Sequence, residues 1–220
     1  MPIELVLFDF DGTLADTLPS SFSAFKTVFK KYDGQDVTNA ELVSMFGPTE
    51  DDIILKNFRN KEFVQHAIQE YYDLYGQGHS ETIEISSIIA LLEFLKEQGK
   101  KIGVITGKSK QSYKISSEAL SLTKYFDLVV TGNDVVNPKP HPEGILKALD
   151  FFGIQADNAV FLGDSNADIM AGKAAGVRTF AVQWLSTFQS SVFEVDPDRT
   201  FRSTIEFIQL LETEEIHFGD

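Results

Sequence analysis

Five short runs of apolar residues, each followed by a turn signal and then a helical pattern, set the strictest limit on how this chain can fold. The runs are Ile3 to Phe10, Lys101 to Thr106, Phe126 to Thr131, Ala159 to Leu162 and Arg178 to Val182. Their Val, Ile, Leu and Phe are nearly continuous, so these strands need cover on both faces, as the strands of a parallel sheet do. Helical stretches separate them: Ser87 to Gln98 before Gly99, Ser109 to Leu120, Pro142 to Phe152 before Gly153, and Ala167 to Ala175 before Gly176. A glycine just past the last turn stops a helix because it takes the left-handed conformation at low cost. The alternation predicts an α/β fold built on a doubly wound parallel sheet.

One segment breaks the rhythm. About 90 residues separate the first two strands, where a single crossover needs about a dozen. Phe22, Phe25, Phe29 and Tyr32 share one face at helical spacing, and so do Val64, Ile68, Tyr71 and Tyr75; both sets read as helix core. Thr38 with Glu41 makes a capping-box pattern. These signals predict a helical domain over residues 15–82, set into a core made of residues 1–14 and 83–220. The run Gly76-Gln77-Gly78-His79-Ser80 reads as one of its hinges.

Ligands of open α/β sheets bind beyond the carboxyl ends of the strands, and the polar residues gather there. The first strand ends in Asp9-Phe10-Asp11-Gly12-Thr13, the second in Thr106-Gly107-Lys108, and the fourth in Gly163-Asp164-Ser165-Asn166-Ala167-Asp168. Lys139 stands between Pro138 and Pro140. Crowded carboxylates repel unless a cation neutralises them, and hard oxygen ligands select Mg2+ over zinc. A fixed lysine, a threonine hydroxyl and backbone N–H groups suit a phosphoryl group whose charge redistributes during transfer. One carboxylate can attack phosphorus while a second serves as general acid and base. The net charge of -14 argues against a nucleic-acid partner, because phosphate backbones are bound through basic patches. With no cysteine there is neither a disulfide framework nor a thiolate metal site. No basic-then-apolar start and no apolar run of roughly 18 residues is visible, so neither signal peptide nor membrane span is expected. The expected setting is the cytoplasm.

Together these motifs resemble the haloacid dehalogenase superfamily of phosphatases with an inserted helical cap. The four motifs stand in that family's order from residue 9 to 168, and the opening five-residue motif is the most specific of them. The resemblance implies that Asp9 is the nucleophile and a magnesium ligand. It implies that Asp11 protonates the leaving group and then activates water, its backbone carbonyl touching the metal. Thr106, the Gly107 N–H, Lys139 and Lys108 would serve the phosphate. Asp164 would ligate magnesium, and Asp168 would support it through water or by orienting Lys139. Asp168 also reads as a helix first-turn acid favoured by the helix dipole. Lys108 after Thr106-Gly107 is similar to the phosphoglycolate phosphatase and pyrophosphatase group, so the expected substrate is a small phosphorylated metabolite, a phosphoglycolate-like ester or pyrophosphate. Gly47, Pro48 and Thr49, in a loop between two cap helices, are the candidates for specificity.

Three other readings compete. A sugar-phosphate mutase of the same superfamily often carries an acid just before the metal-binding Asp, where this chain has Gly163. A phosphoacceptor signalling module shares the acids, threonine and lysine but lacks the Asp-x-Asp-Gly-Thr loop and the insert. A serine esterase built on Ser165 would need a histidine, and only His217 follows.

Overall fold

A computed structural model of the chain describes residues 2–79 and 85–216. Among these residues six parallel strands form one sheet: β1 (Leu5–Phe8), β2 (Lys101–Ile105), β3 (Leu128–Val130), β4 (Ala159–Gly163), β5 (Arg178–Val182) and β6 (Arg199–Phe201), in the spatial order β3-β2-β1-β4-β5-β6. Leu5 pairs with both Lys101 and Ala159, so β1 lies in the middle of the sheet. Successive residues of β1 enter different cores. Val6 and Phe8 pack with one apolar cluster, Leu5 and Leu7 with the other, and all four are fully buried. That two-sided burial is why the run shows no alternation. The five expected strands are present, some shorter than their apolar runs. β6 was not foreseen: three residues beginning with an exposed arginine make no apolar run.

Helices α1 (Leu18–Asp33), α2 (Asn39–Met45), α3 (Glu50–Asn57) and α4 (Val64–Gly78) fill the long gap after β1. They carry their own apolar core, in which Phe25, Phe29, Phe58, Tyr71 and Tyr75 are buried. The capping box forms as expected: the Thr38 N–H donates to Glu41 at 2.7 Å and the Glu41 N–H to Thr38 Oγ1 at 3.2 Å. The expected hinge does not form a loop at its first three residues, because Gly76, Gln77 and Gly78 complete α4 and His79 caps it. Gly78 serves packing instead, since a Cβ there would fall 2.8 Å from the Ser20 Cβ of α1. Ser80 and the expected boundary after residue 82 lie outside the described residues.

Helices α5 (Ser86–Glu97), α6 (Lys110–Ala119), α7 (Glu143–Phe152), α8 (Asn166–Ala175) and α9 (Thr204–Ile216) complete the described fold. The insert meets the core chiefly at α6. Tyr72 Oη lies 2.9 Å from Ser109 Oγ, Tyr75 Oη lies 2.6 Å from Ser116 Oγ, and the Ser109 N–H donates to Glu50 at 2.8 Å. No helix among the described residues is long and apolar enough to cross a membrane.

Candidate active site

The loops after β1, β2 and β4 and the Lys139 segment converge at the carboxyl edge of the sheet. The Asp9 N–H donates to the Leu162 carbonyl at 2.8 Å, which carries the strand pairing one residue past β1 and fixes where the Asp9 side chain leaves the backbone. Gly12 follows at φ 78°, and a Cβ there would sit 2.2 Å from Asp164 Oδ2. Only glycine allows both that left-handed turn and that approach.

Carboxylate oxygens of Asp9, Asp164 and Asp168 lie within 4.8 Å of one another, and all three residues are buried. Lys139 Nζ reaches Asp9 Oδ1 at 2.5 Å, Asp168 Oδ1 at 2.6 Å and the Ile105 carbonyl at 3.1 Å. Three carboxylates facing one ammonium leave two negative charges uncompensated. Two of these acids, Asp9 and Asp164, are shifted upward. Burial pushes the Asp9 carboxyl up to about 7, the Lys139 ammonium opposing and the Asp168 and Asp11 charges adding to it. Burial, then Asp168 and Asp9, push Asp164 well above the usual carboxylate range. Lys139 shows the reverse: burial pulls it down, but Asp168 and Asp9 outweigh that and raise it.

This donor set fits a magnesium ion. It is all oxygen, it carries two surplus negative charges, and it adjoins a cavity with room for a substrate and water. Asp164 is held ready by the Gln189 N–H at 2.7 Å and the Thr13 hydroxyl at 3.4 Å. Asp168 is different, because both its oxygens already receive protons from protein groups. Oδ1 takes Lys139, while Oδ2 takes the Ser165 N–H at 3.0 Å and the Ser165 hydroxyl at 2.6 Å in a capping box at the start of α8. Asp168 thus sits in the helix-start capping box and against Lys139 at once.

Asp11, Thr106, Gly107, Lys108 and Lys139 line one cavity of about 390 Å³ with Asp9. Thr106 Oγ1 accepts the Lys108 N–H at 3.2 Å. The Lys108 ammonium is already engaged, 3.0 Å from Asp11 Oδ1 and 2.7 Å from Tyr75 Oη, and the Thr17 hydroxyl donates to the same Asp11 oxygen. Burial pulls Lys108 down, but Asp11, Tyr75 and Glu50 together raise it. Of the loop candidates, Gly47 and Pro48 line the cavity, whereas Thr49 caps α3 by accepting the Asp52 N–H at 3.4 Å.

Residues 6–182 match the family of haloacid dehalogenase-like hydrolases. The chain belongs to that family. This haloacid dehalogenase-like hydrolase is 33% identical over 199 residues to the pyrophosphatase PpaX of Bacillus cereus strain B4264, covering 90% of this chain and 91% of the relative. It is an enzyme of the phosphatase kind. Among solved structures, a predicted phosphoglycolate phosphatase from Haemophilus somnus superposes with a TM-score of 0.79 at 20% identity, over 94% of this chain and 97% of the other. A beta-phosphoglucomutase from Clostridium difficile superposes with a TM-score of 0.77 at 24% identity, over 97% and 99%. These two likenesses concern the fold.

Several lining residues carry no signal in the sequence. Gln189 and Ser190 come from the segment after β5, where no motif marks them. Glu50 belongs to no motif, yet it is buried and lines the cavity. Phe25 belongs to the helix core, as its spacing predicts, and also reaches the cavity wall.

Proposed function

We propose that this hydrolase is a magnesium-dependent phosphatase that removes the phosphoryl group of a small metabolite through an aspartyl-phosphate on Asp9. The observation that supports it most is the placement of Asp9: buried, paired with Lys139 at 2.5 Å, grouped with Asp164 and Asp168, and sharing one cavity with Asp11. An Asp9 oxygen attacks phosphorus, and the bond from phosphorus to the leaving oxygen breaks. Asp11 gives that oxygen a proton. With Oδ1 of Asp11 held by Lys108 and Thr17, Oδ2 is the oxygen assigned to proton transfer. Asp11 then takes a proton from water, whose oxygen attacks phosphorus and frees Asp9 and inorganic phosphate. Lys139, the Thr106 hydroxyl and the Gly107 N–H hold the phosphoryl oxygens as charge shifts among them. Asp9, Asp164 and the Asp11 carbonyl would hold magnesium, which supplies the charge that lets an anionic nucleophile meet an anionic phosphoryl group.

The helical insert, residues 15–82, acts in this reading as a cap that covers the sheet edge, excludes bulk water and limits substrate size. The mutase reading gains nothing from the packing. A Cβ at Gly163 would fall 2.3 Å from the Asp168 Cβ, which leaves no room for the additional acid. The names of the similar proteins make pyrophosphate and phosphoglycolate the first compounds to try. The test is phosphate release with magnesium, repeated in excess EDTA and with beryllium or aluminium fluoride. Activity is expected to vanish in EDTA and to be inhibited by either fluoride with magnesium. Full turnover in EDTA overturns the metal assignment, and indifference to both fluorides overturns the covalent intermediate.

A further inference from the structure

The cavity over Asp9 has two unlike walls. The sheet edge supplies the charged groups that would handle a phosphoryl group. The insert supplies Leu18, Phe25, Val43, Phe46, Pro48 and Ile53. Among the described residues, the one charged side chain the insert adds to the lining is Glu50, a carboxylate, and the only cations on the whole lining are Lys108 and Lys139. Neither lysine is at the disposal of the leaving group. Lys139 is held at the phosphoryl end of the cavity by Asp9, Asp168 and the Ile105 carbonyl. Lys108 is held by Asp11 and Tyr75, with its side chain only 3% exposed.

From these walls we infer that the substrate is the phosphate monoester of an uncharged, partly apolar alcohol. The inference rests on the phosphatase reading and specifies its leaving group. An anionic leaving group, such as the carboxylate of phosphoglycolate or the second phosphoryl group of pyrophosphate, would be desolvated beside apolar side chains and Glu50. Burying an unpaired charge is costly, and drawing Lys108 across would strip Asp11 of its ammonium partner and leave it the Thr17 hydroxyl. A cationic end gains little from Glu50, whose carboxylate already receives the Ser109 N–H and lies in the field of the Lys108 ammonium. A short carbon chain meets the apolar wall at no such cost.

The experiment compares kcat/KM of the full-length enzyme with magnesium on matched two-carbon esters: 2-hydroxyethyl phosphate, phosphoglycolate and phosphoethanolamine. Pyrophosphate, an n-alkyl phosphate series and p-nitrophenyl phosphate complete the panel. The neutral two-carbon ester is expected to exceed phosphoglycolate by about 10–100-fold, because an unmatched charge is penalised in such a pocket. Each added methylene is expected to raise kcat/KM by up to about fourfold until the cavity is filled. Val43, on the lining yet 44% exposed, tolerates a charge, and Val43→Lys should shift the ratio toward phosphoglycolate by about tenfold or more. Phosphoglycolate, pyrophosphate or phosphoethanolamine turned over as well as the neutral ester overturns the inference and leaves the phosphatase reading standing. No phosphate released from any compound, p-nitrophenyl phosphate included, overturns the phosphatase reading and this inference with it.

Discussion

Asp9 and Asp33 are both aspartates within reach of protein donors, yet the fold moves them in opposite directions. Asp9, at the sheet edge, is raised to about 7 by burial and neighbouring acids in spite of Lys139. Asp33, at the end of α1, is lowered; burial opposes this, but the N–H groups of Arg59, at 2.9 and 3.0 Å, and Asn60, at 2.6 Å, outweigh it. One acid is held against the preference of the folded chain and the other supports it. The sheet edge stores negative charge for chemistry, while the insert uses its charges to tie loops to helices. The proposed function thus divides reactivity and shape selection between two regions, and each can be perturbed separately.

The largest effect should come from the stored charge. Asp9→Asn is expected to lower turnover by about 10⁴-fold or more while leaving Tm equal or higher, since it removes a buried charge. Near-normal rates in the natively folded variant would break the division. Next comes Asp11→Asn, with a loss of about 10²–10⁴-fold; single-turnover kinetics should show Asp9 phosphorylation slowed and hydrolysis slowed further.

The insert should respond in the other currency, stability. Phe25 is 1% exposed, and its ring centroid lies 4.4 Å from that of Tyr71. Phe25→Ala is expected to cost about 3–5 kcal/mol in urea unfolding, while the folded fraction still hydrolyses p-nitrophenyl phosphate in the cold. Complete loss of that activity in folded protein would show that the insert contributes to the chemical step itself.

The division was unevenly legible in the sequence. Asp9 to Thr13, Lys139 and Asp164 could be placed because strand ends, glycines and prolines fix local backbone, and the site sits where those local features end. Glu50 and Tyr75 could not be assigned to the cavity or to Lys108. Their place depends on how the insert lies across α6, which no spacing within either segment encodes. The neighbours of Lys108 in sequence point to a phosphate ligand, and its engagement with Asp11 and Tyr75 is visible only in the fold. Gly76 and Gly78 read as a hinge because glycine marks both flexibility and close packing, and the approach of α1 decides for packing at Gly78.

The smallest effect is one of sign. Asp9 has an ordinary value near 3.8 and a folded value near 7, so the folded chain holds a proton there that the unfolded chain has released. Stability of the protein in EDTA should therefore fall as pH rises from about 4 to 7, and Tm should fall with it. Magnesium should remove the trend, and Asp9→Asn should flatten it. Asp33 runs the other way: its contribution is present above its ordinary value and is lost as pH falls through the lowered one. A metal-free Tm that rises between pH 5 and 7 in the wild type would contradict the charge imbalance assigned to the sheet edge.

The bond from the Asp9 N–H to Leu162 extends the pairing of a strand that has neighbours on both sides. Deuterium can reach that amide only when the centre of the sheet opens, so its exchange should report the global opening of the protein. The short helix α2 buries only Leu42 among its seven residues, and its amides should exchange through local opening. Asp9, the proposed nucleophile, is thus carried by the slowest-breathing part of the molecule, while a stretch of the wall across the cavity belongs to one of the fastest.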